Sequence, residues 1–150
     1  MDLELTGKVA IVTGGSDGIG KAAATSMARE GAKVAIVGRT QAKLDAAITE
    51  IKAGTGGEII GVAADVSVES DVQAMVATVV DEFGGVDILV NNAGTSSATT
   101  LELMTNDDLK VDFGVKIYGA IYCARAVLPY LKASGTGAII NTTTPGGKAS

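Results

Sequence analysis

Histidine is absent from this chain of 150 residues. Without an imidazole there can be no Ser-His-Asp triad, no histidine general base, and little material for a zinc site. The single cysteine, Cys123, can close no internal disulfide and build no thiolate cluster, which points to a reducing compartment. Tryptophan is missing and aromatic residues amount to 3%, so a core must be assembled from Val, Ile, Leu and Ala. Positive charge is scarce as well. Lys and Arg number 12 against 17 Asp and Glu, a net charge of −5 that leaves no basic excess for phosphate backbones. No apolar run approaches the roughly 20 residues of a membrane span. The opening Met1-Asp2-Leu3-Glu4-Leu5 carries two acids where a signal peptide would carry positive charge. These absences predict one soluble, cytoplasmic domain over residues 1–150, with neither nucleic acid nor a membrane as partner.

What is abundant is glycine, 20 of 150 residues, roughly twice the usual share and without period. Short β-branched runs recur at Lys8–Thr13, Lys33–Val37, Glu58–Val62, Val86–Val90 and Ala138–Asn141. Each is continuously apolar, the pattern of a strand buried on both faces. Helical spacing fills the gaps. Leu44, Ala47, Ile48 and Ile51 form one stripe, and Val72, Met75, Val76, Val79, Val80 and Phe83 another, with Ser67 read as N-cap and Gly84 as the stop. A longer helix is expected from near Thr105-Asn106-Asp107-Asp108 to about Leu131, with its acids at the favourable end and Pro129 expected to kink or terminate it.

Strand and helix therefore alternate, which calls for a parallel sheet covered on both faces by right-handed crossovers. The fold class is α/β, a doubly wound sheet of the Rossmann type with five strands and flanking helices. The alternation stops after the fifth strand, where Thr143–Ser150 are small and polar, so the sheet is expected to be incomplete at its C-terminal end.

The first strand runs into Gly14-Gly15-Ser16-Asp17-Gly18-Ile19-Gly20 and then an Ala-rich helix through Arg29. A strand-to-helix turn without Cβ atoms lets backbone N–H groups approach a pyrophosphate at the helix N-terminus. Two rivals are a purely structural turn and a P-loop, since Gly15, Gly20 and Lys21 fit G-x-x-x-x-G-K. Ala22 stands where a P-loop needs a hydroxyl for Mg²⁺, which weakens that rival.

The spacing Thr13-Gly14-x-x-x-Gly18-x-Gly20 resembles the cofactor motif of the short-chain dehydrogenase/reductase family. A second family motif stands as Asn91-Asn92-Ala93-Gly94 after the strand Val86–Val90, and Asp65-Val66 follows the third strand, where the family meets the adenine ring. The resemblance runs in register from about Leu5 to Ser150. It implies a nicotinamide dinucleotide held by Thr13, Gly14, Ser16, Asp17, Gly18, Ile19, Gly20, Asp65, Val66, Asn92, Ala93 and Gly94. At the end of the second strand, where an acid would bind the ribose of NAD(H), the sequence has Gly38-Arg39-Thr40. The missing carboxylate and the Arg39 fork favour NADP(H), with NAD(H) as the alternative. The competing reading of Arg39 is a solvated residue at the start of a helix, and that of the two asparagines is plain loop support.

The pattern then departs from the family. Its Asn position falls on Lys116, within Phe113-Gly114-Val115-Lys116-Ile117-Tyr118-Gly119, and its Ser position on Thr144, after Gly137 to Thr143. Thr keeps a hydroxyl that can donate to a carbonyl, but an ammonium only donates where an amide also accepts. The Tyr-x-x-x-Lys pair is absent: Tyr118, Tyr122 and Tyr130 are followed four residues on by Tyr122, Ala126 and Ser134. The resemblance thus implies hydride transfer between nicotinamide and a small carbonyl or alcohol substrate, with residues 1–150 alone expected to be inactive. The alternatives are a non-catalytic NADP(H)-binding module, an inactive fragment or pseudo-enzyme, and a structural partner. A homo-oligomer through the long helix Asn106–Leu131 is expected.

Overall fold

A computed structural model describes residues 1–94 and 100–143. The strands are β1 (Val9–Thr13), β2 (Lys33–Gly38), β3 (Ile59–Ala63), β4 (Ile88–Asn91) and β5 (Ala138–Asn141), all within two residues of their expected bounds. Between them lie α1 (Gly18–Arg29), α2 (Gln41–Thr55) and α3 (Glu69–Phe83). The last crossover consists of α4 (Asn106–Phe113), a π-helical stretch Gly114–Tyr118, and α5 (Gly119–Ser134). Pairing is parallel throughout in the order β3-β2-β1-β4-β5. The direction of winding reverses between β1 and β4, and at such a switch point the loops diverge and leave a crevice.

Alternation along β1 divides the core. Val9 and Ile11 join Ala35, Val37 and Leu89 beneath α3 and α5, where Val72, Met75, Val79, Cys123, Val127 and Leu131 are buried. Ala10 and Val12 join Val34, Ile36, Ile88 and Val90 beneath α1 and α2, against Ala24, Ala28, Leu44, Ala47 and Ile51. A strand buried on both faces needs apolar residues in continuous run, and β1 and β2 meet that requirement.

β5 departs from it. Its four residues are all exposed, so Ala138–Asn141 is not the doubly buried strand its composition suggests. Among the described residues it is an edge of the sheet, paired with β4 alone, and no helix covers either of its faces enough to bury them.

Two helix signals also need correction. Ser67 is not the N-cap of α3; Val68 is. The Ser67 hydroxyl donates to Asp65 Oδ1 at 2.6 Å instead, so it is unavailable to the helix. Pro129 does not end α5, which continues to Ser134 and is closed by Gly135 at φ +71. Proline forfeits the hydrogen bond to the carbonyl four residues back. That carbonyl belongs to exposed Arg125, where water can replace the bond, while buried Val127 and Leu131 on either side keep the helix docked. The stop at Gly84 stands as expected, at φ +89.

α4 begins where its acids indicate. Thr105 Oγ1 accepts from Asp108 N at 3.1 Å, and Asp108 Oδ2 accepts from Thr105 N at 2.9 Å, a reciprocal cap. The Thr105 backbone bond, then its hydroxyl, hold the Asp108 carboxyl below its ordinary range. No helix among the described residues is long and apolar enough to cross a membrane.

Candidate functional site

The C-terminal ends of β1 to β4 open onto a cleft enclosing about 180 Å³. The glycine turn forms its floor. Gly14 and Gly18 sit in the left-handed region at φ +64 and +51, where a side chain is strained. Gly14 N and Gly15 N both donate to Val37 O, at 2.8 and 3.3 Å, which ties the turn to β2. The other glycine has a packing reason. A Cβ on Gly20 would stand 2.1 Å from Gly14 O and 2.5 Å from Asn92 Nδ2. Gly18 is the opposite case, because no atom beyond its chain neighbours and its own helix backbone lies within 4 Å of its Cβ position. Its surroundings are open space at the mouth of α1, and Asp17 makes no side-chain cap there. Uncapped helix N–H groups beside open space fit a pyrophosphate.

Thr13 is buried and acts as a clamp rather than a liner. Its Oγ1 donates to Val90 O at 3.3 Å and accepts from Asn92 N and Ala93 N, each at 3.0 Å. Asn92 Nδ2 returns a bond to Gly14 O at 3.2 Å, and its Oδ1 accepts from Thr142 Oγ1 at 3.2 Å. Asn91 Nδ2 donates to Asn141 Oδ1 at 3.0 Å. The two asparagines thereby lock the ends of β1, β4 and β5 together. That is the support role of loop asparagines, and it also fixes Ala93 and Gly94 at the cleft wall.

Among the sequence candidates, Gly14, Ser16, Asp17, Arg39, Thr40, Asp65, Val66, Ala93 and Gly94 line the cleft. Thr13, Gly18, Ile19, Gly20 and Asn92 form the turn and its clamp behind them, with Ile19 exposed. At the β2 end, Gly38 leaves no carboxylate, and Ser16 Oγ lies 3.7 Å from its Cβ position. Asp65 Oδ1 accepts from Ser67 N at 3.0 Å as well as from the Ser67 hydroxyl, so that carboxylate is turned toward its own loop.

Lys116 lies in the π-helical stretch. Its Cε is 3.6 Å from the Cβ position of Gly94, and its ammonium sits 3.6 Å from Asp112 Oδ2. π-Helical turns shift the register of a helix and recur at functional sites. Here the stretch also brings Val115 to the cleft. Gly119 lets this helix close on the Asp65–Ser67 turn, since a Cβ there would be 2.7 Å from Val66. Thr144 lies outside the described residues.

Lys21, the P-loop candidate, is bonded to the Glu50 carboxylate on α2 and is not directed at the turn. Lys43 and Val115 line the cleft without having been picked out from the sequence. Lys43 could have been found from its place in the opening turn of α2, four residues after Arg39. Val115 depends on the π-helical register, for which the sequence carries no signal.

The short chain dehydrogenase family matches residues 8–150. A 3-oxoacyl-[acyl-carrier-protein] reductase of Synechocystis sp. is 38% identical over 144 residues, covering 95% of this chain and 58% of that protein. L-Sorbose reductase from Gluconobacter frateurii, solved with NADPH and L-sorbose, superposes with a TM-score of 0.88 at 40% identity, over 94% of this chain and 54% of that one. A metagenomic short-chain oxidoreductase in complex with NADP gives 0.87 at 35% identity, over 97% and 66%. The chain thus spans little more than half the length of the curated relatives it matches. With the glycine turn, the asparagine clamp and the match over nearly all its residues, this chain belongs to the short chain dehydrogenase family.

Proposed function

We propose that this chain provides the NADP(H)-binding part of an oxidoreductase that transfers hydride between nicotinamide and a carbonyl or alcohol carbon. The observation that carries this reading is the cleft itself. At the switch point of the sheet it joins an uncapped helix N-terminus, an acid-free β2 end with Arg39, and small residues at Ala93 and Gly94. NADP(H), when bound, supplies the hydride; the protein holds, orients and excludes water.

In this reading Thr13, Gly14, Ser16, Asp17, Gly18, Ile19 and Gly20 present the pyrophosphate site. Asp65 and Val66 border the adenine, Asn92, Ala93 and Gly94 the second ribose, and Arg39 with Thr40 the adenosine ribose phosphate. Thr144 would orient the substrate oxygen, and Lys116 stands where the family has an amide. No Tyr-x-x-x-Lys occurs in the chain, so the proton donor of the family reaction is missing from residues 1–150. That donor is worth about 10²–10⁴ in rate. A non-catalytic NADP(H)-binding module is the second reading, favoured by the Lys116–Asp112 pair where the family has an amide.

The outer face of α4, the π-helical stretch and α5 exposes Leu109, Phe113, Ile117, Ile121 and Leu128. We assign that face to a second copy of the chain in a cytoplasmic homo-oligomer. Sedimentation of the wild type and of Ile121→Lys tests this: a dimer lost in the variant supports it, and a monomeric wild type removes it.

Titration with NADPH and NADH, followed by fluorescence, tests the function. The wild type is expected to bind NADPH more tightly, and Arg39→Ala to lose about 1.5–3 kcal/mol for NADPH only, the range of a charged hydrogen bond. Equal losses for both cofactors would remove Arg39 from the phosphate. Turnover of carbonyl substrates that disappears in Lys116→Met would overturn the inactive reading and make Lys116 catalytic.

A further inference from the structure

We propose that Lys43 is a second cofactor-specificity residue, sharing with Arg39 the charge of a phosphate on the adenosine ribose; this rests on the NADP(H) reading above. Arg39 and Lys43 line the same cleft beside Ser16 and Gly38. They come from the junction of β2 and α2, with Lys43 in the first turn of the helix. Neither makes an ion pair among the described residues.

α2 begins as α1 does, without a first-turn acid or a side-chain cap, and both N-termini border the cleft, whereas α3 and α4 begin differently. α3 opens with Glu69 and Asp71, and α4 with Asp107 and Asp108, the signs that a helix N-terminus favours. α2 has no acid in its first turn, no side-chain cap from Thr40, and a cation at Lys43. A cation there opposes the helix dipole and is unfavourable for the isolated helix. Residues that break a local rule without local compensation concentrate at functional sites. An anion bound between Arg39, Lys43 and the uncapped N–H groups of α2 would reverse the sign of that effect.

The charge of the ligand supports two cations rather than one. A phosphate monoester near pH 7 carries about −1.5 to −2, more than one guanidinium neutralises. The two residues would divide the work by their chemistry. Arg39 offers a planar fork that fixes geometry, whereas Lys43 offers a mobile point charge. The acids that share the cleft are Asp17, at the glycine turn, and Asp65, whose Oδ1 is held by Ser67. Neither occupies the β2 end.

The test is calorimetric titration of the 150-residue chain with adenosine 2′,5′-bisphosphate and with 5′-ADP. Lys43→Gln should weaken the bisphosphate about three- to tenfold, between the effect of an exposed ion pair and that of a charge-assisted hydrogen bond. It should leave 5′-ADP unchanged, which also shows that the variant is folded. Lys43→Arg should retain the preference, and Lys52→Gln, which removes a cation from the far end of the same helix, should change neither ligand. An unchanged bisphosphate affinity in Lys43→Gln, or equal loss for both ligands, would overturn the role of Lys43 while a wild-type preference for the bisphosphate leaves the NADP(H) reading intact. A wild type with no such preference would overturn that reading and this inference together.

Discussion

β1 and β5 are both short β-branched strands in one parallel sheet, yet their surroundings differ completely. All five residues of β1 are buried, between two layers of helices, and its end carries the glycine turn. All four residues of β5 are exposed. The cleft follows the same gradient. Its β1–β2–β3 side rests on buried Val37, Ala64 and Val66 with Asp17, Arg39, Thr40 and Lys43 exposed at the rim, while beyond β4 the described wall comes from Ala93, Gly94 and the π-helical stretch. In the proposed reading adenosine lies over strands β1–β3, and the nicotinamide lies on the side toward β5.

The largest effect expected from this contrast is on stability. Ile11→Ala removes a fully buried side chain from β1 and should cost about 2–5 kcal/mol in urea unfolding. Ile139→Ala on β5, 41% exposed, should cost about 1 kcal/mol or less. Similar losses at both positions would mean that β5 is covered in solution and would erase the contrast.

The glycine turn gives an intermediate effect. A methyl at Gly20 meets backbone oxygen at 2.1 Å, so Gly20→Ala must displace Gly14 or α1. Overpacking of this kind costs about 1–3 kcal/mol and should abolish NADPH binding as well. At Gly18 no atom outside its chain neighbours and its own helix backbone lies within 4 Å of the Cβ position. Gly18→Ala should bear only the left-handed strain, about 1–2 kcal/mol, and a smaller loss of stability than Gly20→Ala. A larger loss at Gly18, measured by the same unfolding, would contradict the packing account.

The smallest effect concerns the inner face of α5. Burial pushes the Cys123 thiol up to about 12. The unfolded thiol ionises near its ordinary 9.0, so this group's contribution to stability is complete below that pH and is lost as pH rises toward 12. Iodoacetamide at pH 8 should leave the native chain unlabelled over hours and label it quickly in urea. Rapid native labelling would show that the α5 face is as open as β5.

Much of this was legible in the sequence, because strands buried on both faces have a distinctive run of β-branched residues and the glycine turn has a distinctive spacing. The Thr13 and Asn92 clamp follows from two motifs at adjacent strand ends. What could not be read depended on neighbours. The apolar run Ala138–Asn141 resembles the others, and only sheet order shows it to be an edge. Ser67 has the chemistry of a cap, but a nearer acceptor, Asp65, holds its hydroxyl. Pro129 spares α5, whose residue four back, Arg125, is exposed while Val127 and Leu131 stay buried. Val115 reaches the cleft through a π-helical register that composition does not reveal.

The proposed division between an adenosine side over the buried strands and a nicotinamide side toward β5 is tested most directly by splitting the cofactor. Calorimetry of the 150-residue chain with NADP⁺, adenosine 2′,5′-bisphosphate and nicotinamide mononucleotide should show the bisphosphate retaining most of the NADP⁺ affinity and the mononucleotide none. A mononucleotide that binds as well as NADP⁺, or a bisphosphate that does not bind, would contradict the account.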